Sequence, residues 1–227
     1  MIMSDFSTND LGLVRIMIVD DHPIVREGLS MLLDGHHGLS VIALVENIAD
    51  ALHQIDRDPP DIAIIDIGLK NESGLDLIGR IKERNRTVRV LVVTMHDESL
   101  YGERAMTAGA MGFLNKQAAS RKIVEAIDCV REGKVYISDE LSERMATRKW
   151  ADGQAYPLTG VASLTNRELE IFSRIGDGLT TSEIAKRLHL SIKTVESHRQ
   201  NIKSKLKLRN AAELSREAAQ WVLSSRQ

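Results

Sequence analysis

From Val14 onward the chain repeats one pattern five times, a short and continuously apolar run followed by an amphipathic helical stretch. The apolar runs are VRIMIVDD, VIALVE, DIAIIDI, VRVLVVTM and GFLNK. The stretches that follow them are IVREGLSMLL, ADALHQI, LDLIGRIKE, LYGERAMTAG and RKIVEAIDCVREG. Unbroken runs such as Ile62-Ala63-Ile64-Ile65 and Val90-Leu91-Val92-Val93 suit strands buried on both faces, as a parallel sheet covered by helices requires. The expected architecture over residues 14–133 is α/β, a doubly wound five-stranded parallel sheet.

The alternation then stops. Residues 134–163 hold one helical pattern, around Ser138 to Lys149, followed by ADGQAYPLTG, whose Gly and Pro read as an exposed connection, so this stretch is taken as a linker. Beyond Leu164 no strand pattern recurs. Residues 164–227 fit four helices, Asn166–Gly176, Ser182–Leu188, Ile192–Leu206 and Ala211–Leu223, and form a small all-α domain. Two cores suit a chain of 227 residues. The net charge of −2 hides an asymmetry, because residues 164–227 carry about five more cationic than anionic side chains and residues 1–163 about seven fewer. The lone Cys129 has no disulfide partner and lies in an apolar helical pattern, which suits core filler in a reducing compartment. No apolar run is long enough to span a bilayer and the N-terminus lacks a signal pattern, so a cytoplasmic location without membrane contact is expected.

Ligands of an open parallel sheet bind beyond the carboxyl ends of its strands. There the sequence places Asp20-Asp21 after strand one, Asp66 after strand three, Thr94 at the end of strand four and Lys116 after strand five. Three carboxylates at one edge repel unless a cation joins them, and an oxygen-only site with room for water suits Mg²⁺. A metal, a lysine and a hydroxyl around one nucleophilic carboxylate are sufficient for phosphoryl transfer, which depends on positioning and charge neutralisation. His22 adds no ligand that such a hard site requires, and local capping suits it better.

In the C-terminal part, SEIAKRLHL is a short amphipathic helix, and Ser191 is a natural cap for the next one. In that helix Ile192, Val195, His198, Ile202 and Leu206 recur at core spacing, and Lys193, Glu196, Ser197, Gln200, Lys203 and Ser204 form the opposite polar face. Two helices around a tight turn make a helix-turn-helix whose second helix enters the major groove of double-stranded DNA N-terminus first. Lys193, Glu196, Ser197 and Gln200 then lie nearest the bases, whereas Thr181, Ser182, Thr194, Arg199, Lys203 and Lys205 suit the phosphate backbone.

The segments DDHPIVREGL, IIDIGL, VVT and GFLNK resemble the receiver of NarL/FixJ response regulators, which is flavodoxin-like. LTNRELEIF, GLTTSEIAKRL and SIKTVESHRQNIKSKL resemble the LuxR-type DNA-binding module in order. The resemblance implies that Asp66 accepts phosphate from a sensor histidine kinase. It also implies that Asp20, Asp21 and the backbone carbonyl of Gly68 join Asp66 around Mg²⁺, that Lys116 pairs with the phosphoryl group and that Thr94 hydrogen-bonds it. Phe113 would turn inward as Thr94 moves. A homodimer acting on paired half-sites to regulate transcription is implied as well, with Ala211, Leu214, Ala218, Trp221 and Val222 of the last helix offering part of an interface. Trp221 fits that interface or the domain core. One departure stands out: the family carries Pro four residues after the phosphoacceptor, and here Lys70 occupies that position. An enzyme that hydrolyses phosphate esters at Asp66 would need a substrate pocket or cap insertion, and the short connections supply none. A helical domain that binds protein, and a DNA binder indifferent to phosphate, are separated from this reading by experiment.

Overall fold

The computed structural model describes residues 13–69, 72–151 and 160–225. Its first half alternates β1 (Val14–Val19), α1 (Pro23–Asp34), β2 (Leu39–Val45), α2 (Ile48–Arg57), β3 (Ile62–Ile65), α3 (Gly74–Arg84), β4 (Arg89–Thr94), α4 (Glu98–Ala108), β5 (Gly112–Asn115) and α5 (Lys116–Arg131). The strands form one parallel sheet in the order β2-β1-β3-β4-β5. Because side chains alternate along each strand, the sheet has two apolar faces. Ile16, Ile18, Ile64, Leu91 and Val93 pack against Leu29 and Leu33 of α1 and Ile123, Ile127 and Val130 of α5. On the other face Met17, Val19, Ala63, Ile65, Val90 and Val92 meet α2, α3 and α4.

The order reverses between β1 and β3, and that is where an open α/β sheet leaves a crevice at its carboxyl edge. The register pairs Val19 with Ile65 and Thr94 with Asn115, so Asp20, Asp66, Thr94 and Lys116 leave their strands at one level. Gly74, the first residue of α3, donates its N–H to Ile67 O at 3.0 Å, and a side chain there would collide with the Asp66 backbone. That glycine lets α3 start hard against the Asp66 loop.

The stretch read as a linker begins docked on this domain. Tyr136 accepts from Phe113 N and donates to Met111 O, extending the edge of β5, and Ser138 N donates to Glu98 Oε1 at 3.1 Å. The helix α6 (Asp139–Ala151) follows, with Leu141 only 1% exposed against Gly102 of α4, whose missing side chain makes the room. Its Arg144 donates to Ser99 O at 2.8 Å. Packing and hydrogen bonds hold this part of the chain, which its composition alone did not indicate.

A short 3-10 turn (Gly160–Ser163) leads into α7 (Asn166–Gly176), α8 (Thr181–Arg187), α9 (Ile192–Lys205) and α10 (Ala211–Ser225). Capping boxes start α7 at Thr165, with Glu168, and α8 at Thr180, with Glu183. Leu169, Phe172, Ile184, Val195, Ile202, Leu214 and Ala218 make the core of this bundle. Of the α10 residues suggested for dimerisation, Ala211 is exposed, whereas Leu214 and Ala218 are fully buried, Val222 nearly so, and Trp221 packs on Phe172 with ring centroids 5.5 Å apart.

Candidate functional site

Asp66, Asp20, Asp21 and Thr94 are buried, an uncommon concentration of polar groups at one sheet edge. Each oxygen of Asp66 has its own partners. Oδ1 accepts from Thr94 Oγ1 at 2.7 Å and from the Gly68 backbone N–H at 3.1 Å. Oδ2 lies 2.5 Å from Lys116 Nζ, which also reaches Asp20 Oδ2 at 2.6 Å. Burial alone would push the Asp66 carboxyl up, but the Lys116 charge and the three hydrogen bonds outweigh it and hold it below the usual carboxylate range. Burial likewise opposes the Lys116 charge, and Asp66 and Asp20 reverse the effect, keeping the ammonium above the ordinary lysine value. Asp66 is thus an ionised, desolvated carboxylate with fixed orientation.

Carboxylate oxygens of Asp20, Asp21 and Asp66, with a ring nitrogen of His22, all lie within 4.8 Å of one another. Asp21 Oδ1 sits 2.8 Å from His22 Nδ1 but outside hydrogen-bond geometry, and it has no other partner among the described residues. An orphaned buried carboxylate oxygen beside two more acids fits a hard divalent cation. The His22 ring is largely exposed and its amide donates to Asp20 Oδ1 at 2.9 Å; although His22 is the N-cap residue of α1, its side chain makes no capping hydrogen bond, so the expected capping role is not seen. The site opens into a cleft of about 930 Å³, bounded on its far side by Arg167, Glu170 and Arg174 of α7.

The second candidate surface is the exposed side of α9. His189, in the left-handed region at φ 50°, turns the chain sharply between α8 and α9, and Ser191 caps α9 by accepting from Thr194 N. Lys193, Glu196, Ser197, Gln200 and Ser204 are exposed along one face, and Val195 and Ile202 anchor the other.

Residues 16–128 match the response regulator receiver domain, and residues 162–218 match the luxR family of bacterial regulatory proteins. Across 89% of its length the chain is 31% identical to response regulator UvrY of Escherichia coli K12, covering 92% of that protein. The chain is a response regulator of the NarL/FixJ type. Transcriptional activator protein ExaE of Pseudomonas putida is 36% identical to the regulator over 88% of this chain and 92% of its own. A LuxR-family response regulator structure from Aurantimonas sp. SI85-9A1 is 31% identical, with a TM-score of 0.56 over 61% of this chain and 99% of that one. The RcsB response regulator of Salmonella typhimurium shares the fold, with a TM-score of 0.63 over 92% of this chain and 98% of that one at 23% identity. The regulator is accordingly a two-component transcription regulator with a LuxR-type DNA-binding domain, not an enzyme. No helix among its described residues is long and apolar enough to cross a membrane.

The structure brings Asp20, Asp21, Asp66, Thr94 and Lys116 of the regulator together, and Gly68 contributes its amide to Asp66. Phe113 is already 3% exposed, so the inward turn implied for it is not a movement this conformation has left to make. Lys70 lies outside the described residues. On α9, Ile192 is 51% exposed and does not join the core as its spacing suggested, because the first turn of the helix projects past the bundle. Lys205 is held by Glu168 at 2.6 Å, so its charge is partly spent inside the domain. Arg199 and Lys203 are half-buried, Thr181 likewise, and Ser182 is exposed. The Thr194 hydroxyl already lies 2.7 Å from Ser191 Oγ. Sequence reasoning missed His96. Its ring nitrogen stands 3.1 Å from where a side chain on Gly68 would begin, over the Asp66 loop, and burial pushes its pKa down.

Proposed function

We propose that Asp66 is the phosphoacceptor and that its phosphorylation, with a sensor histidine kinase as donor, controls sequence-specific binding of double-stranded DNA by homodimers in the cytoplasm. The observation that carries the reading is the bridge of Lys116 between Asp66 Oδ2 and Asp20 Oδ2, with Thr94 on Oδ1. An oriented, ionised carboxylate is the nucleophile: one of its oxygens bonds to phosphorus as the P–N bond of the phosphohistidine breaks, and the histidine nitrogen keeps the electron pair. Lys116 and Thr94 then turn from carboxylate to phosphoryl oxygens as cation and hydrogen-bond donor. Asp20, Asp21 and Asp66, with the Gly68 carbonyl, would hold Mg²⁺, which supplies charge neutralisation when bound. Phe113 belongs to the buried surface that responds to Thr94.

On DNA, Lys193, Glu196, Ser197 and Gln200 face the bases, and Thr181, Ser182, Thr194, Arg199 and Lys203 face the phosphates, with Lys205 the weakest contributor because of Glu168. The test is chemical. Protein treated with acetyl phosphate and Mg²⁺ is reduced with borohydride, which converts an aspartyl phosphate to homoserine, and the modified peptide is sequenced by mass spectrometry. Homoserine at position 66 supports the assignment, and homoserine elsewhere, or none, overturns it.

A further inference from the structure

Ile192 opens α9 with an apolar side chain half in water. Among the described residues of the DNA-binding domain, Leu223 near the far end of α10 is the other large apolar side chain left so open. The fold does not require an isoleucine at this place. Ser191 caps the helix by accepting from Thr194 N at 3.0 Å, and the apolar residues that flank such a cap are Leu190 and Val195, both packed into the domain core. A single exposed apolar side chain is ordinary on most of a protein surface, but this one stands on the leading turn of the helix whose exposed face is otherwise polar.

Around the helix axis Ile192 falls in line with Glu196, Arg199 and Lys203, at helical spacings of three and four, and away from the buried line of Val195 and Ile202. Helical side chains lean toward the N-terminus, so a side chain at the first position reaches ahead of the helix, at the end that enters the major groove. Branching at Cβ restricts its χ1 angle, so little rotamer freedom is lost when it meets a surface. The neighbours on that face, Lys193, Glu196, Ser197 and Gln200, offer charges and hydrogen bonds. Ile192 offers neither, and on the major-groove edges of the bases the apolar group is the C5 methyl of thymine.

We propose that Ile192 reads a thymine, packing its side chain on the C5 methyl in the major groove, and so fixes one position of the recognised sequence by apolar contact. The inference rests on α9 being the DNA-reading helix. Four residues of helix advance about 6 Å, roughly two base-pair steps of about 3.4 Å each, which puts this thymine within about two base pairs of the base that Glu196 faces. Contact with the methyl drives water from both apolar surfaces, whereas a base without it leaves the isoleucine against a polar edge. The preference is therefore for the methyl group itself and not for the hydrogen-bonding pattern of the A·T pair.

The experiment removes one methyl group at a time. A duplex is selected by the full chain from a random library, with acetyl phosphate and Mg²⁺ present throughout, and each thymidine in it is replaced in turn by deoxyuridine, which keeps the base pair and deletes the C5 methyl. Binding of wild type and Ile192→Ala is measured on the whole set at fixed salt. Each ratio of thymidine to deoxyuridine duplex is taken on one protein, so differences in folding or phosphorylation between the variants cancel. Wild type should lose about four-fold in affinity at one thymidine of the recognised sequence, the worth of about one buried methyl. Ile192→Ala should bind the thymidine duplex about as weakly as wild type binds that deoxyuridine duplex, and should be indifferent to the replacement. A selected sequence without a fixed thymine, a wild type that responds to no replacement, or a response that persists in Ile192→Ala overturns the contact while leaving α9 as the reading helix. If Lys193→Ala and Gln200→Ala bind the selected duplex as wild type does, or no duplex is selected at all, the assignment of α9 falls and the inference with it.

Discussion

Lys116 is the residue on which the acidic site depends most. Its side chain is 11% exposed and neutralises two buried carboxylates at once, so Lys116→Met leaves Asp20 and Asp66 without a cation. Removing one partner from a buried ion pair costs about 3–5 kcal/mol. The variant should lose receiver stability by that order in metal-free buffer, measured by thermal unfolding, and should recover part of it when Mg²⁺ is added. Recovery is expected because the cation would occupy the charge deficit, and its absence would argue against a metal at these acids. The strand-end positions of Asp20, Asp66, Thr94 and Lys116 were legible because continuous apolar runs announce where buried strands stop. The sharing of Lys116 between two acids was not, since it depends on where a flexible side chain ends. His96 carried no signal at all, because a histidine two residues after a strand has no periodicity to mark it.

At the scale of elements, the C-terminal helices are set by their caps. Thr180 accepts from Glu183 N, and Glu183 Oε2 accepts from Thr180 N at 2.8 Å, closing a box at the start of α8. Thr180→Ala should cost about 1 kcal/mol of domain stability and loosen the first turn of α8, checked by denaturant unfolding and amide exchange. Both boxes were readable as T-x-x-E, yet the sequence reading began α8 at Ser182, after its true cap, because it followed the apolar pattern instead. His198 on α9 provides a pH test. Burial pushes its pKa below the ordinary 6.5, opposed by Glu168, and its Nδ1 is buried without a hydrogen-bond partner among the described residues. The unfolded chain therefore takes up the proton first, and the stability contribution is present above the ordinary histidine value and lost as pH falls through the lowered one. Thermal stability of the DNA-binding domain should fall as pH drops below that ordinary value, and His198→Gln should flatten the decline. An unchanged slope in the variant would place the acid sensitivity elsewhere.

Across the whole molecule, an acidic receiver and a basic reader are joined by α6 and by Arg104. Domain classes were legible from the change of period at residue 134, but the docking of 134–151 on α4 was not. It rests on a backbone bridge to β5 and on the notch at Gly102, neither of which has a sequence period. The charge on the reader predicts DNA affinity that weakens steeply as salt rises, with Lys193→Ala and Gln200→Ala distinguished by a shallower salt slope in the first and altered sequence preference in the second. The central claim is that phosphate on Asp66 controls DNA binding. Its most direct test is binding to a duplex selected by the protein from a random library, at fixed salt, with and without acetyl phosphate and Mg²⁺, for wild type and Asp66→Asn. Donor-stimulated binding by wild type that vanishes in Asp66→Asn is the predicted result, and equal binding in all four conditions would contradict it.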